Sequence, residues 1–374
     1  MRRRPPAVAL LGVLLGVLFL ASWASGCGIQ GPSSGPAAGA DSGDRPAAVS
    51  LADVAPLADP RDWSGATTAV LPDLPVDPVS GPAPQLPAVV TDAQGTKVTV
   101  TDTSRILALD VHGTLARTVF ELGLGDSVVG RDTSTQFAEA AALPLVTPVG
   151  HDLSAEAILE LDPTVILTDT SLGPWDVVLQ MRESGIPVVV TDAHRGLDNL
   201  GSLTRQVADA LGVSDAGDLL ADRIERQVAD VRTQVAAVAP TDPADRLRTV
   251  FLYVRGQSGV YYLFGAGSGA DELIEGVGGY DVAKEIGWEG MRPVTDEGIV
   301  AAAPELVILM TKGLESAGGV DGLLERLPAL ATTPAGQNRR FVDMDDAQVL
   351  GFGPTTAAVI EALTVAIYAP EAVS

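Results

Sequence analysis

Cysteine is all but missing: the 374-residue chain has one, Cys27. A single cysteine cannot build an intramolecular disulfide framework, and it excludes a structural zinc site made of cysteines. Aromatic residues are also scarce, at 4% of the chain, so each Tyr or Trp near a candidate site carries information. Basic residues number 24 Lys+Arg against 48 Asp+Glu, a formal charge of −24. Most of such a surface repels a phosphate polyanion, so nucleic acid is excluded as a partner. Apolar residues, by contrast, make up 46%, with a mean hydropathy of +0.26, which excludes a wholly disordered acidic chain. The length suits two domains.

The N-terminus sets the compartment. Met1-Arg2-Arg3-Arg4 is a basic start, and Ala7 to Ala21 is an apolar run of signal-peptide length. Ala24-Ser25-Gly26-Cys27 resembles a bacterial lipobox, which implies that residues 1–26 are a signal peptide and that Cys27 is lipidated. Ala24 stands where Leu is usual, and an ordinary signal peptide or an uncleaved anchor are the other readings. Each places the protein outside the cytoplasm, and the lipidated Cys27 tethers it to a membrane. Eleven of the 26 prolines then fall between Pro32 and Pro87, without helical or alternating periodicity, so residues 27–95 read as a tether. Val70 to Val90 carries enough Val and Leu to pack onto a domain, which leaves its role open.

From Lys97 the pattern becomes α/β. Val98 to Thr101, Arg105 to Leu109, Ser127 to Gly130, Thr164 to Thr168 and Pro187 to Thr191 read as strands. Helical patterns at Gly113 to Leu124, Ser154 to Leu161 and Asp176 to Ser184 lie between them. This alternation predicts a parallel sheet whose ligand edge is the carboxyl end of its strands. Leu197 to Ala239 is a nearly continuous helical pattern, interrupted at Leu211 to Ser214. After Pro240 the strand and helix alternation resumes. The expected architecture is two α/β lobes, 96–196 and 241–374, joined through 197–240 by one long helix, with a cleft between them.

A repeat links the halves. Glu156-Ala-Ile-Leu-Glu-Leu-Asp-Pro163 precedes Thr-Val-Ile-Leu-Thr168, and Glu297-Gly-Ile-Val-Ala-Ala-Ala-Pro304 precedes Glu-Leu-Val-Ile-Leu-Met-Thr311. Both read E-x-I-x-x-x-x-P followed by an apolar strand ending in Thr. Their separation is far too great for a solenoid, so the repeat signals domain-level pseudo-symmetry.

With the signal sequence and the joining helix, these motifs resemble the substrate-binding proteins of iron-siderophore, cobalamin and haem ABC importers over residues 96–374. The resemblance implies a monomeric receptor rather than an enzyme. It also implies that Glu156 and Glu297 dock onto arginines of the membrane permease. For either Glu alone, a helix N-terminal acid favoured by the dipole is the competing reading.

All three histidines follow strand ends: His112, His151 and His194. Opposite them, Phe251-Leu-Tyr253-Val-Arg255-Gly256 puts Tyr253 and Arg255 on one face of a strand. A guanidinium beside a phenol favours the phenolate, an iron(III) ligand. Other roles for Arg255 are pairing with a haem propionate or with a nearby Asp. Val149-Gly-His151-Asp-Leu-Ser and Leu252-Tyr-Val-Arg-Gly256 are similar to actinobacterial haem-binding lipoproteins. That resemblance implies haem held between His151 and Tyr253, with Arg255 beside it and the lipid at Cys27 as anchor. In Gly351-Phe-Gly-Pro354-Thr355, Thr355 stands where many relatives have Arg.

Two other ligands within this class remain, a ferric siderophore or a corrinoid. An extracytoplasmic enzyme using His112 or His194 with an Asp is the reading from another class. Gly265-Ala-Gly267-Ser-Gly-Ala270 matches a dinucleotide fingerprint but lacks the early βα unit, and reads as a helix-capping turn. Gly31-Pro-Ser33-Ser-Gly35 matches a nucleophile elbow inside the tether, without strand or helix around it. Trp175 follows a strand, where it lines the cleft or plugs the lobe edge.

Overall fold

The computed structural model describes residues 48–374 except 73 and 82. The expected signal peptide, Cys27 and the first part of the tether lie outside the described residues. Twelve strands follow in chain order. They are β1 (Thr67–Thr68), β2 (Ala88–Thr91), β3 (Lys97–Val100), β4 (Ile106–Leu109), β5 (Val165–Thr168) and β6 (Val188–Val190). Then come β7 (Arg248–Arg255), β8 (Val260–Phe264), β9 (Tyr280–Asp281), β10 (Met291–Pro293), β11 (Leu306–Met310) and β12 (Phe341–Met344).

β4, β5 and β6 form a parallel sheet in which every residue is buried, the continuous apolar run that a sheet covered on both faces requires. Helices α1 (Thr114–Val119), α2 (Ala155–Glu160) and α3 (Trp175–Glu183) belong to this lobe. The other lobe has the strand order β1-β12-β11-β7-β8-β10, with β9 on β7. β1, β12, β11 and β7 run parallel; β8 is antiparallel to β7, and β10 is antiparallel to β8. Between the lobes stand α4 (Leu200–Ala210) and the 25-residue α5 (Ser214–Val238), the latter about 37 Å long at 1.5 Å per residue. Gly212, at φ 71°, turns the chain between them, and a Cβ there would lie 2.5 Å from the Gln85 carbonyl oxygen. Val228, Val231 and Val235 of α5 share a core with Val359, Ile360 and Leu363 of the C-terminal helix Thr356–Tyr368. The lobes thus rest on a common apolar spine.

The tether expectation is corrected over residues 48–95, most of which are built into the fold. β1 adds an edge strand beside β12, with Thr67 opposite Val342. Arg61 pairs with Glu305 at 2.9 Å, and the Leu57 N–H donates to the Tyr368 carbonyl at 2.7 Å. Further on, the chain crosses to the first lobe, where Arg117 donates to the carbonyls of Leu74 and Pro75, each at 2.9 Å. Arg117 is itself buried against Glu121 at 2.7 Å. Its contacts are scattered backbone N–H donors, such as those of Gly65, Ala69, Val79 and Gln85, which reach distant carbonyls at irregular intervals between prolines that cannot donate, and so leave no periodic trace. One expected strand, Ser127 to Gly130, makes only a single bridge from Val128 to Ile106.

Candidate functional site

The cleft face of the second lobe is set by strand alternation. Phe251, Tyr253 and Arg255 share one face of β7, and register places Tyr262 opposite Tyr253 and Phe264 opposite Phe251. Phe264 stacks on Tyr253 with centroids 5.9 Å apart, and Tyr262 meets the same ring edge-on at 6.5 Å. In a chain so poor in aromatics, this concentration on two strands is a site signature. Sequence reading singled out Tyr253 but not Tyr262, although the alternation in Val260-Tyr-Tyr-Leu-Phe264 would have shown it. Met291 lies opposite Phe264 on β10 and is 63% exposed, an apolar edge to the aromatic strip.

Arg255 lies over the Tyr253 ring, its guanidinium carbon 4.4 Å from the centroid. The contact is with the ring face, a cation–π pair. The guanidinium also donates to its neighbour's carbonyl, Val254, at 2.9 Å and faces Asp346 at 3.5 Å. The pairing with a nearby Asp is therefore present alongside the phenol contact.

His151 sits on an exposed turn after Gly150, whose φ of 58° suits glycine. Its pKa is lowered first by desolvation and then by the charge of Arg255, while Asp152 works in the other direction. At neutral pH the lowered pKa leaves the imidazole unprotonated and able to ligate a metal. Val149, two residues before it, is 71% exposed and adds apolar surface beside the imidazole.

Behind His151, the strand ends carry a buried charge cluster. Asp110 follows β4, Asp169 follows β5, and Arg195 reaches both, at 3.3 and 2.7 Å. Asp132 accepts from the N–H groups of Asp110, Ser134 and Thr135 at 3.1, 2.9 and 2.8 Å. Burial first, and then Asp110, push its carboxyl up to about 7. His112 is pushed down to about 4, by desolvation and then by Arg195, with Asp169 opposing and His151 adding to the fall. His112 borders a cavity of about 310 Å³ that also takes in Phe137, Gln348, Gly351 and Thr355, and so spans both lobes. The glycine-rich stretch near residue 351 thus lies at the cleft.

Several candidates sit elsewhere. His194 pairs with Asp198 at 3.0 Å, away from His151. Trp175 is half-buried against the outer core with Leu153 and Ile158, which fits a plug of the lobe edge. The turn Gly265–Gly269 precedes helix α6 (Ala270–Gly276), where Ser268 Oγ accepts from the Ala270 N–H at 3.3 Å. A larger hollow of about 940 Å³, between the β2–β3 hairpin and α4–α5, is lined by neither histidine nor aromatic residue.

Glu156 and Glu297 are matched in detail. Ser154 caps α2 by accepting from Ala157 N–H at 3.2 Å, and Thr295 caps the helix Asp296–Ala302 by accepting from Gly298 N–H at 3.0 Å. In both helices the Glu is the second residue and is exposed, and the Ile two positions later is buried. Next comes an exposed apolar residue, Leu159 at 41% in one and Val300 at 56% in the other.

The sequence profile of the periplasmic binding protein family matches residues 111–348. The solved structure of the heme binding protein HmuT is 39% identical, with a TM-score of 0.78, covering 83% of this chain and 99% of that one. Structures of HmuT also include variants in which a tyrosine, the arginine two positions after it and a histidine are each replaced by alanine. The periplasmic heme-binding protein RhuT from Roseiflexus sp. RS-1 is 36% identical, with a TM-score of 0.65, covering 73% of this chain and 100% of that one. BhuT, a periplasmic heme-binding protein solved with two hemes, is 30% identical with a TM-score of 0.62, covering 72% of this chain and 99% of that one. No curated protein matches the chain.

Proposed function

The chain belongs to the periplasmic binding protein family, and from that premise we propose that it is an extracytoplasmic receptor that binds haem and delivers it to an ABC importer. One observation carries the ligand reading: Tyr253, Tyr262 and Phe264 gather on one face of the second lobe, with the Arg255 guanidinium 4.4 Å over the Tyr253 ring. A flat macrocycle with a central iron fits between an imidazole and a phenol. Its apolar faces suit Val149 on one side and Tyr262, Phe264 and Met291 on the other. Similar proteins that bind heme favour this cargo over a siderophore or corrinoid, and favour transport over catalysis. HmuT variants at a Tyr-x-Arg pair and at a histidine support the same three residue types.

In this reading His151 and Tyr253 are the iron ligands. Arg255 stacks on the phenol ring and supplies positive charge near the propionates. Cys27 carries the lipid that holds the receptor at the membrane. Glu156 and Glu297 pair with cations on the permease, one from each lobe, and Leu159 and Val300 add an apolar contact beside each. A surface with the same patch on both halves fits a partner with two-fold symmetry. The test is a haemin titration of the full chain followed by visible spectroscopy, with His151→Ala and Tyr253→Ala alongside.

A further inference from the structure

Where the first lobe leads into the joining helices, a second set of ligating side chains stands apart from the proposed haem ligands. His194 and Asp198 lie on the segment between β6 and α4, and Glu272 comes from α6 of the other lobe. One imidazole nitrogen and two carboxylate oxygens, one from each residue, all lie within 4.8 Å of one another. His194 Nε2 and Asp198 Oδ1 are 3.0 Å apart.

The Glu272 carboxylate is seated by the main chain. Its Oε2 accepts the N–H of Leu197 and, at 3.3 Å, that of Asp198. Gly196 leaves the room this requires: a Cβ there would sit 2.7 Å from Oε2 and 2.8 Å from Oε1. The second carboxylate, Asp198, is brought beside it with only the imidazole as partner. Among the described residues, neither Asp198 nor Glu272 forms an ion pair with Lys or Arg. The adjacent Arg195 is turned inward to Asp110 and Asp169. Two carboxylates and an imidazole at one half-exposed point leave a negative site without a cation.

We propose that His194, Asp198 and Glu272 bind one divalent transition-metal ion of the zinc type. One nitrogen and two oxygens, with water completing the shell, is a donor set that such ions accept. Metal–ligand bonds of about 2.0–2.2 Å place neighbouring ligand atoms roughly 3.3–3.6 Å apart, so a contraction of about 1 Å closes the set. Because Glu272 belongs to one lobe and the other two ligands to the segment leaving the other, the ion ties the lobes together at their junction. The proposal rests on this geometry alone and stands independently of the cargo.

Metal-stripped full chain titrated with zinc chloride by calorimetry is expected to bind one ion per chain. His194→Ala and Glu272→Gln are each expected to weaken that binding at least tenfold. Glu272→Gln keeps an oxygen for the Leu197 N–H, and His194 is partly exposed, so circular dichroism should show both variants folded. His151→Ala removes the other exposed imidazole and is expected to leave zinc binding as it was. Zinc should also raise the Tm of the wild type and not that of His194→Ala. Absence of zinc binding, or equal binding by wild type and His194→Ala, overturns the proposal.

Discussion

The Arg255 guanidinium lies 4.4 Å from the centre of the Tyr253 ring, two residues earlier on the same strand. Strand alternation brings them to one face. The pair orients the phenol and places a fixed positive charge at the cleft mouth.

Arg255→Ala should therefore weaken haem binding without removing the iron ligands. A partly exposed cation–π contact contributes about 1 kcal/mol, and a lost propionate partner adds a similar amount, so an affinity loss of roughly ten- to thirtyfold is expected. Titration with haemin checks it. A ligand-field spectrum like that of the wild type at saturation is part of the expectation.

Charge reversal at the docking residues should separate binding from delivery. Glu156→Arg and Glu297→Arg leave haemin affinity unchanged, because both side chains are exposed in the first turns of helices and neither is a proposed haem ligand. Haem-dependent growth or permease ATPase stimulation falls in each and is abolished in the double variant. Leu159→Asp and Val300→Asp are expected to reduce stimulation more mildly, each removing an exposed apolar contact.

Acid titration of stability has opposing contributions at the strand ends. His112, with its pKa lowered to about 4, stays neutral in the folded state while the unfolded imidazole gains a proton below about 6.5. This destabilises the fold as pH falls from about 6.5 to 4. Asp132, raised to about 7, holds its proton in the folded state and contributes stability that is lost as pH rises from about 4 to 7. His112→Gln should make stability fall more steeply with rising pH across that window. Asp132→Asn should make it fall more steeply on acidification. Urea melts at pH 4.5, 5.5 and 6.5 read both slopes, and identical slopes in all three proteins would contradict the assignment.

The N-terminal segment should be needed for stability. Arg117→Ala leaves Glu121 buried with Arg223, at 2.7 Å, and the Asp77 N–H, at 3.2 Å, and frees the carbonyls of Leu74 and Pro75. The carboxylate keeps partners, so the cost comes mainly from the two freed carbonyls, about 2 kcal/mol together. A chain beginning at residue 96 loses β1, β2 and these anchors, and is expected to melt earlier or to fail to accumulate. Thermal melts compare the three proteins.

Much of this architecture was legible because it repeats or alternates. The joining helices show a helical period broken once, at Leu211 to Ser214, the two lobes share the E-x-I-x-x-x-x-P signature, and Tyr253 and Arg255 share a face by spacing alone. Residues 48–95 were not legible, since two short strands and scattered N–H donors between prolines leave no period. Nor was the cluster of Asp110, Asp132, Asp169 and Arg195: its members are far apart in sequence, and only the parallel strand ends bring them together. Arg255 was expected beside the Tyr253 hydroxyl, yet its planar guanidinium also stacks well on the ring face, a choice made by local packing.

The central claim is iron coordination from opposite lobes, and its most direct test is the visible spectrum of the haemin-loaded full chain. The wild type should give a shifted, saturable Soret band at one equivalent, with a different spectrum in Tyr253→Ala and another in His151→Ala. Affinity should fall on acidification, as protons compete for the Tyr253 phenolate and, at lower pH, for the His151 imidazole, whose pKa is lowered by desolvation. A wild-type spectrum equal to that of free haemin, or three identical spectra, would contradict the account.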